Sequence, residues 1–497
     1  MRLSYEQYIE KVKACWLGKN IGGTLGAPLE GKRGTFDIDY YTHDLSWGVL
    51  PNDDLDLQLI FLAAAEKYGK SLRAHHLAEY WLYLIPVDWS EYGAGKNNLR
   101  LGFVPPVSGN FKNAFKNSCG CFIRSEIWAC LAPGHPEIAV KYAYEDGIID
   151  HADEGVYGEI FCAAVESAAF VESDANKLIE IGLSYIPDTC AVAGAVRLAI
   201  DCYNRKLDWK QARKELLTVY PDTFGLMRNE DKEGLPKGEL GFDAPVNIGI
   251  TVMAWLMGEG DFSKSICIAA GCGEDADCTA GTLASIMGII HGTKIFDKKW
   301  LEPIGDAIKT ITIDLSKEFE IPEDVTTLTN RVAKLMPVFM QGNFDIDKDG
   351  KFTIIGAENL EQQPIVTGWF ERTSFSKTIE NSFMTVRRES IAFNACVSTD
   401  KIELDENDGL TVDVILENNL QQQQWINVKL LGLTGSTTCI AQKPVFVNQH
   451  TAGDSCTRTK IKIAPEQIVG GKNEFLFIAE CNGKISSVYI PITIIKD

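Results

Sequence analysis

Apolar side chains return every three to four positions through most of the first 310 residues. Between Tyr5 and Leu17 they fall at Tyr8, Ile9, Val12, Cys15 and Trp16, and between Leu55 and Lys67 at Leu57, Ile60, Phe61 and Ala64. That spacing gathers them on one face of a helix. The same period predicts helices near 73–85, 136–144, 155–172, 175–185, 188–204, 245–258 and 276–291. Stretches such as GAPLEGKRG and LAPGHPE punctuate the gaps, and Gly95 with Lys96-Asn97-Asn98 reads as a turn.

The pattern changes after about Pro337. Short β-branched runs then alternate with turn clusters, as in GLTVDVILENN, WINVKLLGL, TKIKIAP, NEFLFIAECNGK and SSVYIPITII. Alternation with turns at this spacing predicts a β-sandwich. The expected organisation is a multi-domain chain: an α-helical domain over 1–340, a boundary region over 341–385 and a β-sandwich accessory domain over 386–497. Gln421 to Gln424 reads as a loop between strands, and Trp369 and Trp425 as core residues. Asp345-Ile346-Asp347-Lys348-Asp349-Gly350 opens like a calcium loop, but its twelfth position is Gly356 where glutamate is needed, so calcium is not expected there.

At 497 residues the chain is long enough for two or more domains. Its formal net charge of −20 repels phosphate backbones, which argues against nucleic acid as a partner. An anionic ligand must then be held locally, by backbone N–H groups, helix N-termini or metal. No apolar run reaches the roughly 18 residues of a spanning helix, and the first residues lack a signal-peptide pattern. The 14 cysteines show no paired metal spacing. Cys119 and Cys121 form only C-x-C, and Cys162, Cys202 and Cys267 lie in apolar stretches. They read as small buried hydrophobes in a reducing, cytoplasmic compartment.

Two segments carry candidate chemistry. Pro51-Asn52-Asp53-Asp54-Leu55 precedes a periodic helix, with Asn52 as N-cap and acids in the first turn. By itself this is also what an ordinary helix start looks like. The second is Gly271-Cys272-Gly273-Glu274-Asp275-Ala276-Asp277-Cys278-Thr279. It opens a helix with Gly281, Ser285, Gly288 and Gly292 at spacings that allow close approach to another backbone. Four carboxylates gathered in one place repel one another unless cations lie between them. Oxygen ligands favour magnesium, manganese or calcium over zinc.

These residues, in this order, resemble the ADP-ribosylglycohydrolase family of the dinitrogenase-reductase-activating glycohydrolase type, over roughly residues 8 to 305. Gly18-Lys19-Asn20-Ile21-Gly22-Gly23-Thr24-Leu25-Gly26-Ala27-Pro28-Leu29-Glu30 is similar to the family's glycine-rich opening. Asn52-Asp53-Asp54 resembles its Thr-Asp-Asp motif, and Asn117-Ser118-Cys119-Gly120-Cys121-Phe122-Ile123-Arg124 the loop into its middle helix. Asp275-Ala276-Asp277-Cys278 resembles its closing Asp-x-Asp-Thr, and Ile149-Asp150-His151 stands where Thr-His is often found. The resemblance implies an all-α orthogonal helical bundle holding two divalent ions, magnesium or manganese. It implies hydrolysis of the glycosidic bond between ADP-ribose and a protein side chain or small acceptor. On that footing Asn52, Asp53, Asp54, Asp275 and Asp277 are metal ligands, Glu30 and Asp54 are catalytic, Ser118 and Gly120 offer N–H groups to a pyrophosphate, and His151 contacts the ligand.

Three positions depart from the family pattern. Asn52 replaces a threonine but keeps an oxygen, Cys278 replaces another with a soft sulfur, and Gly23 replaces a common aspartate. One tight and one weak metal are therefore expected. Two other readings stay open: a non-catalytic, ligand-binding relative, and a hydrolase of another small N-glycoside.

Overall fold

The computed structural model describes residues 2–221, 229–230, 236–237, 241–340, 342–362, 385–399, 401–449, 456–481 and 486–496. They form two compact units, one of residues 1–93 with 113–362 and one of 94–112 with 363–497.

The first unit is built of helices. Five helices matter most below: α1 (Tyr5–Gly26), α2 (Asp53–Tyr68), α3 (Ser90–Leu101), α4 (Ala244–Gly258) and α5 (Ala276–His291). The periodic segments near 73–85, 136–144, 175–185 and 188–204 are the helices Ala74–Leu84, Pro136–Gly147, Ala175–Ser184 and Ala191–Asn204. α4 is buried along its whole length and α5 from Ala276 to Ile289. Both are buried on all sides, with apolar residues around most of their circumference, as in central helices.

α1 and α5 touch backbone to backbone. A Cβ added at Gly18, Gly22 or Gly26 would lie 2.3, 2.2 or 2.3 Å from the carbonyl oxygens of Ala284, Ala280 and Ala276. In return, a Cβ at Gly288 would lie 2.5 Å from the Ala14 carbonyl oxygen. α5 thus meets α1 through Ala276, Ala280, Ala284 and Gly288, with Gly281 and Ser285 of the expected stripe beside them. Gly292 is the helix C-cap. Ser285 does lie at the contact and donates to the Cys15 carbonyl at 3.1 Å.

Several expectations need correction. Gly95 to Asn98 lie inside α3 rather than in a turn. Pro337 lies within the helix Val325–Met340, so the helical pattern runs past it. Beyond that helix, Phe344–Ile346 and Phe352–Ile355 pair antiparallel, and the second also pairs with Arg2–Ser4. The Asp345–Gly350 segment is the end of this hairpin: Asp347 Oδ1 accepts from the N–H groups of Asp349 and Lys351, both at 2.9 Å.

In the second unit, one sheet has the strand order Thr438–Val447, Gln424–Gly432, Gly471–Cys481, Ser487–Lys496, Glu403–Leu404. The other has Cys456–Ile463, Leu410–Asn418, Phe393–Thr399, Thr385–Glu389. Alternate residues such as Val412, Val414 and Leu416 from one sheet and Ile426, Val428 and Leu430 from the other share one apolar core, the expected sandwich. The unit also contains Phe103 and Val107, which pack with Phe111, Ile402 and Ile495. Trp425 is 62% exposed and stacks edge-on against Phe446, so it is not a core residue. It faces out because strand alternation points Ile426 inward instead. Trp369 lies outside the described residues.

Candidate metal centre

The site is built where the starts of α2 and α5 meet the end of α1. Asn52 caps α2, its Oδ1 accepting the Asp54 N–H at 2.7 Å. A side chain at position 23 would collide with it, since a Gly23 Cβ would lie 2.2 Å from Asn52 Nδ2. Glycine at 23 and asparagine at 52 are therefore sterically matched. The cap places Asp53 and Asp54 in the first turn, where the helix N-terminus favours negative charge.

Asp275 and Asp277 come from the other helix start. The preceding loop has two consecutive left-handed residues, Gly273 (φ 63°) and Glu274 (φ 59°). At Gly273 a Cβ would strike the Lys32 carbonyl oxygen at 2.1 Å, so only glycine fits. Glu274 is non-glycine in that region and must be held there by its contacts. Its carboxylate is fully buried between Arg213 Nη2 at 2.7 Å and Arg33 Nε at 2.9 Å. Its N–H donates to the Lys32 carbonyl and its own carbonyl accepts from Gly31. Through these bonds residues 31–33 are tied to the α5 loop, which sets Glu30 beside Asp275. Asn247 of α4 accepts the Asp275 N–H at 3.2 Å.

Two sets of ligand atoms result, each within 4.8 Å: Asp54, Asp277 and Cys278, and Glu30, Asp275 and Asp277. Asp277 belongs to both. Asp54, Asp275 and Asp277 are buried, whereas Glu30 reaches solvent. Asp53 joins neither set; its Oδ2 accepts the Tyr92 hydroxyl at 3.1 Å. The Asn52 amide oxygen is engaged as the helix cap. Burial and the charges of Asp275, Asp53 and Asp54 push the Glu30 carboxyl up to about 8. Burial, Asp54 and Asp56 push Asp53 up to about 7. Asp275 and Asp277 are also raised well above the usual carboxylate range, by burial first and by neighbouring carboxylates second. Such a cluster is short of positive charge, and the oxygen-rich donor set fits a divalent cation.

The cation the protein itself supplies is Lys19, which the sequence pattern did not mark. It is 1% exposed, and Nζ donates to the Ile123 carbonyl at 2.6 Å while lying 2.9 Å from Glu126 and 3.2 Å from Asp54 Oδ2. Although burial disfavours its charge, Glu126 and Asp54 hold its pKa well above the usual lysine range. A lysine among Leu17, Gly18, Ile21 and Gly22 was the available signal.

The 117–124 loop forms a separate, buried network. Ser118 Oγ lies 2.8 Å from His151 Nε2, and His151 Nδ1 faces Asp150 Oδ1 at 3.0 Å. Arg124 Nη2 donates to Asp150 at 2.7 Å and Nε to Asp146 at 2.8 Å, while its guanidinium lies over the Trp81 ring. Burial alone would raise the Asp150 carboxyl, but Arg124 and His151 hold it below the usual range. Ser118 and Cys119 already donate their N–H groups to the carbonyls of Phe115 and Phe242. Gly120 is where Glu91 approaches: a Cβ there would lie 2.1 Å from Glu91 Oε1. Glu91 and Tyr92, both from α3, are further site neighbours that the sequence pattern did not mark.

A helical domain thus brings carboxylates from two helix starts together, in an arrangement that could hold a divalent cation. The model of the family described as ADP-ribosylglycohydrolase matches residues 4–333, and the chain belongs to that family. Among solved structures it is similar to one described as an ADP-ribosylglycohydrolase-related protein complex, at 16% identity and TM-score 0.41, covering 68% of this chain and 99% of that one. A β-glucosidase from Listeria innocua in complex with glucose matches over 21% of this chain and 16% of its own, at 14% identity and TM-score 0.17. No curated protein sequence matches the chain. Among the described residues, no helix is long and apolar enough to cross a membrane.

Proposed function

We propose that the protein is a divalent-metal-dependent glycohydrolase that cleaves the glycosidic bond of an ADP-ribosyl or related ribosyl conjugate. The observation that carries this reading is the shared use of Asp277 by two ligand sets that also contain Asp54, Asp275 and Glu30. Family membership supports a glycohydrolase-type activity, and the acidic clusters suit the metal dependence general in the family.

The all-oxygen set of Glu30, Asp275 and Asp277 suits magnesium or manganese. A bound ion would orient sugar hydroxyls and stabilise charge that develops at the anomeric centre. Glu30, the solvent-reaching carboxylate of the cluster, is placed to bind a sugar hydroxyl and to take a proton from the attacking water. Asp54 holds the cluster in place from α2 and contributes a ligand oxygen. Ser118 and His151 bond each other in the buried 117–124 loop, so their part in substrate binding would be to shape that loop rather than to offer free N–H groups to phosphates. Asp53 and Asn52 fix the start of α2, through Tyr92 and the cap.

Asp277→Ala is expected to abolish stoichiometric manganese binding by calorimetry and to remove hydrolysis of an ADP-ribosylated peptide or small conjugate. Unchanged stoichiometry and affinity in this variant would refute the assignment.

A further inference from the structure

We propose that the Asp54–Asp277–Cys278 position is built for a borderline divalent ion of the zinc, cobalt or ferrous class, with Cys278 as a thiolate ligand. This rests on the metal-dependent reading above and adds to it that the two cation positions differ in kind.

The argument starts from Asp54. Its Oδ2 lies 3.2 Å from the Lys19 ammonium, which also holds the Ile123 carbonyl and Glu126. Oδ1 faces the cluster and accepts the Cys278 thiol hydrogen at an S···O distance of 3.6 Å, the proton that a bound ion would replace. The thiol is 4% exposed, in the first turn of α5, with Asp54, Asp275 and Asp277 around it. Cysteines that serve as small hydrophobes sit among apolar side chains; this one sits among carboxylates. Two carboxylate oxygens and a sulfur within 4.8 Å form a mixed donor set. Magnesium avoids sulfur, whereas borderline ions accept both donor types. As the ion binds, the S–H proton leaves to solvent and a sulfur–metal bond forms. The ion then offsets two of the charges of Asp54, Asp277 and the thiolate, while Lys19, shared with Glu126, lies beside Asp54. The other position has oxygen donors only and remains one for a hard ion.

The test uses the full-length, metal-free protein titrated with cobalt(II) under reducing conditions. A thiolate-to-cobalt charge-transfer band in the near ultraviolet is expected. Cys278→Ser and Cys278→Thr should each lose that band, keep their far-ultraviolet circular dichroism and still bind manganese. Preference for cobalt over magnesium, read by competition, should fall about tenfold or more in both variants. Cobalt binding without the band, or a band that survives both substitutions, overturns the thiolate ligand and leaves the metal-dependent reading standing. Failure of the wild type to bind cobalt, manganese or magnesium at all would overturn both.

Discussion

Around Asp277 each carboxylate that loses a proton adds charge beside other carboxylates. Glu30 is raised to about 8 by burial and Asp275, Asp53 to about 7 by burial and Asp54, and Glu91 to about 7 by burial. An acid whose pKa is higher in the folded state binds more protons folded than unfolded through the interval between the two values. Stability must therefore fall as pH rises across that interval. For the metal-free protein we expect the melting temperature to drop between about pH 6.5 and 8. Saturating manganese should flatten that slope, because the ion supplies the charge the protons had supplied. His43, His135 and His291 have lowered values, chiefly from burial, and act in the opposite direction. They do so with and without metal, so the difference between the two curves isolates the carboxylates. A metal-free protein whose melting temperature is flat or rises over this range would contradict the account.

The contact between α1 and α5 packs Gly26 against Ala276 and Asp277 at the start of α5, and its sterics are sharply position-dependent. At Gly22 an added methyl would meet the Ala280 carbonyl oxygen at 2.2 Å, a backbone atom that no rotamer change can move aside. At Gly281 the nearest atoms are Lys19 Cδ at 3.4 Å and the Gly23 nitrogen at 3.6 Å, ordinary contact distances. Gly22→Ala should therefore destabilise by about 3 kcal/mol, through overpacking. Gly281→Ala should be neutral or stabilise by about 0.5–1 kcal/mol, through the reduced freedom of the unfolded helix position. Equilibrium urea unfolding of the two variants reads the opposite signs directly. Equal losses at both positions would mean that the helix contact is not the limiting feature.

The two compact units are not consecutive along the chain. The second takes residues 94–112 from the midst of the helical sequence and packs Phe103 and Val107 with Ile402 and Ile495. Thr493 also donates to the Gly102 carbonyl at 3.0 Å. A chain ended between residues 340 and 350 would keep Phe103, Val107 and Phe111 but lose their apolar partners. It would also lose Phe352–Ile355, the strand that pairs with Arg2–Ser4. We expect such a truncated chain to aggregate, or to unfold well below the full protein in a thermal scan. A truncated chain that stays monomeric with an unchanged melting temperature would instead show that the sandwich is separable.

The amino-acid order alone determined where helices give way to strands, because burying one face imposes a period of 3.6 or 2 on the residues themselves. It also determined the start of α2, since the Asn52 cap is a local interaction between positions two apart. The candidate carboxylates were visible because both pairs open helices. Which of them share a cation was decided only in three dimensions. Asp54 and Cys278 are 224 positions apart, and Glu274 is 241 from Arg33. Periodicity records that a face is buried but not against what: the small residues of α5 were legible, but that α1 is the helix they meet was not. Lys19, Glu274, Arg213 and Tyr92 each serve as single buried polar groups. One such group has no period to betray it, and its role exists only once the chain has folded its distant partner alongside.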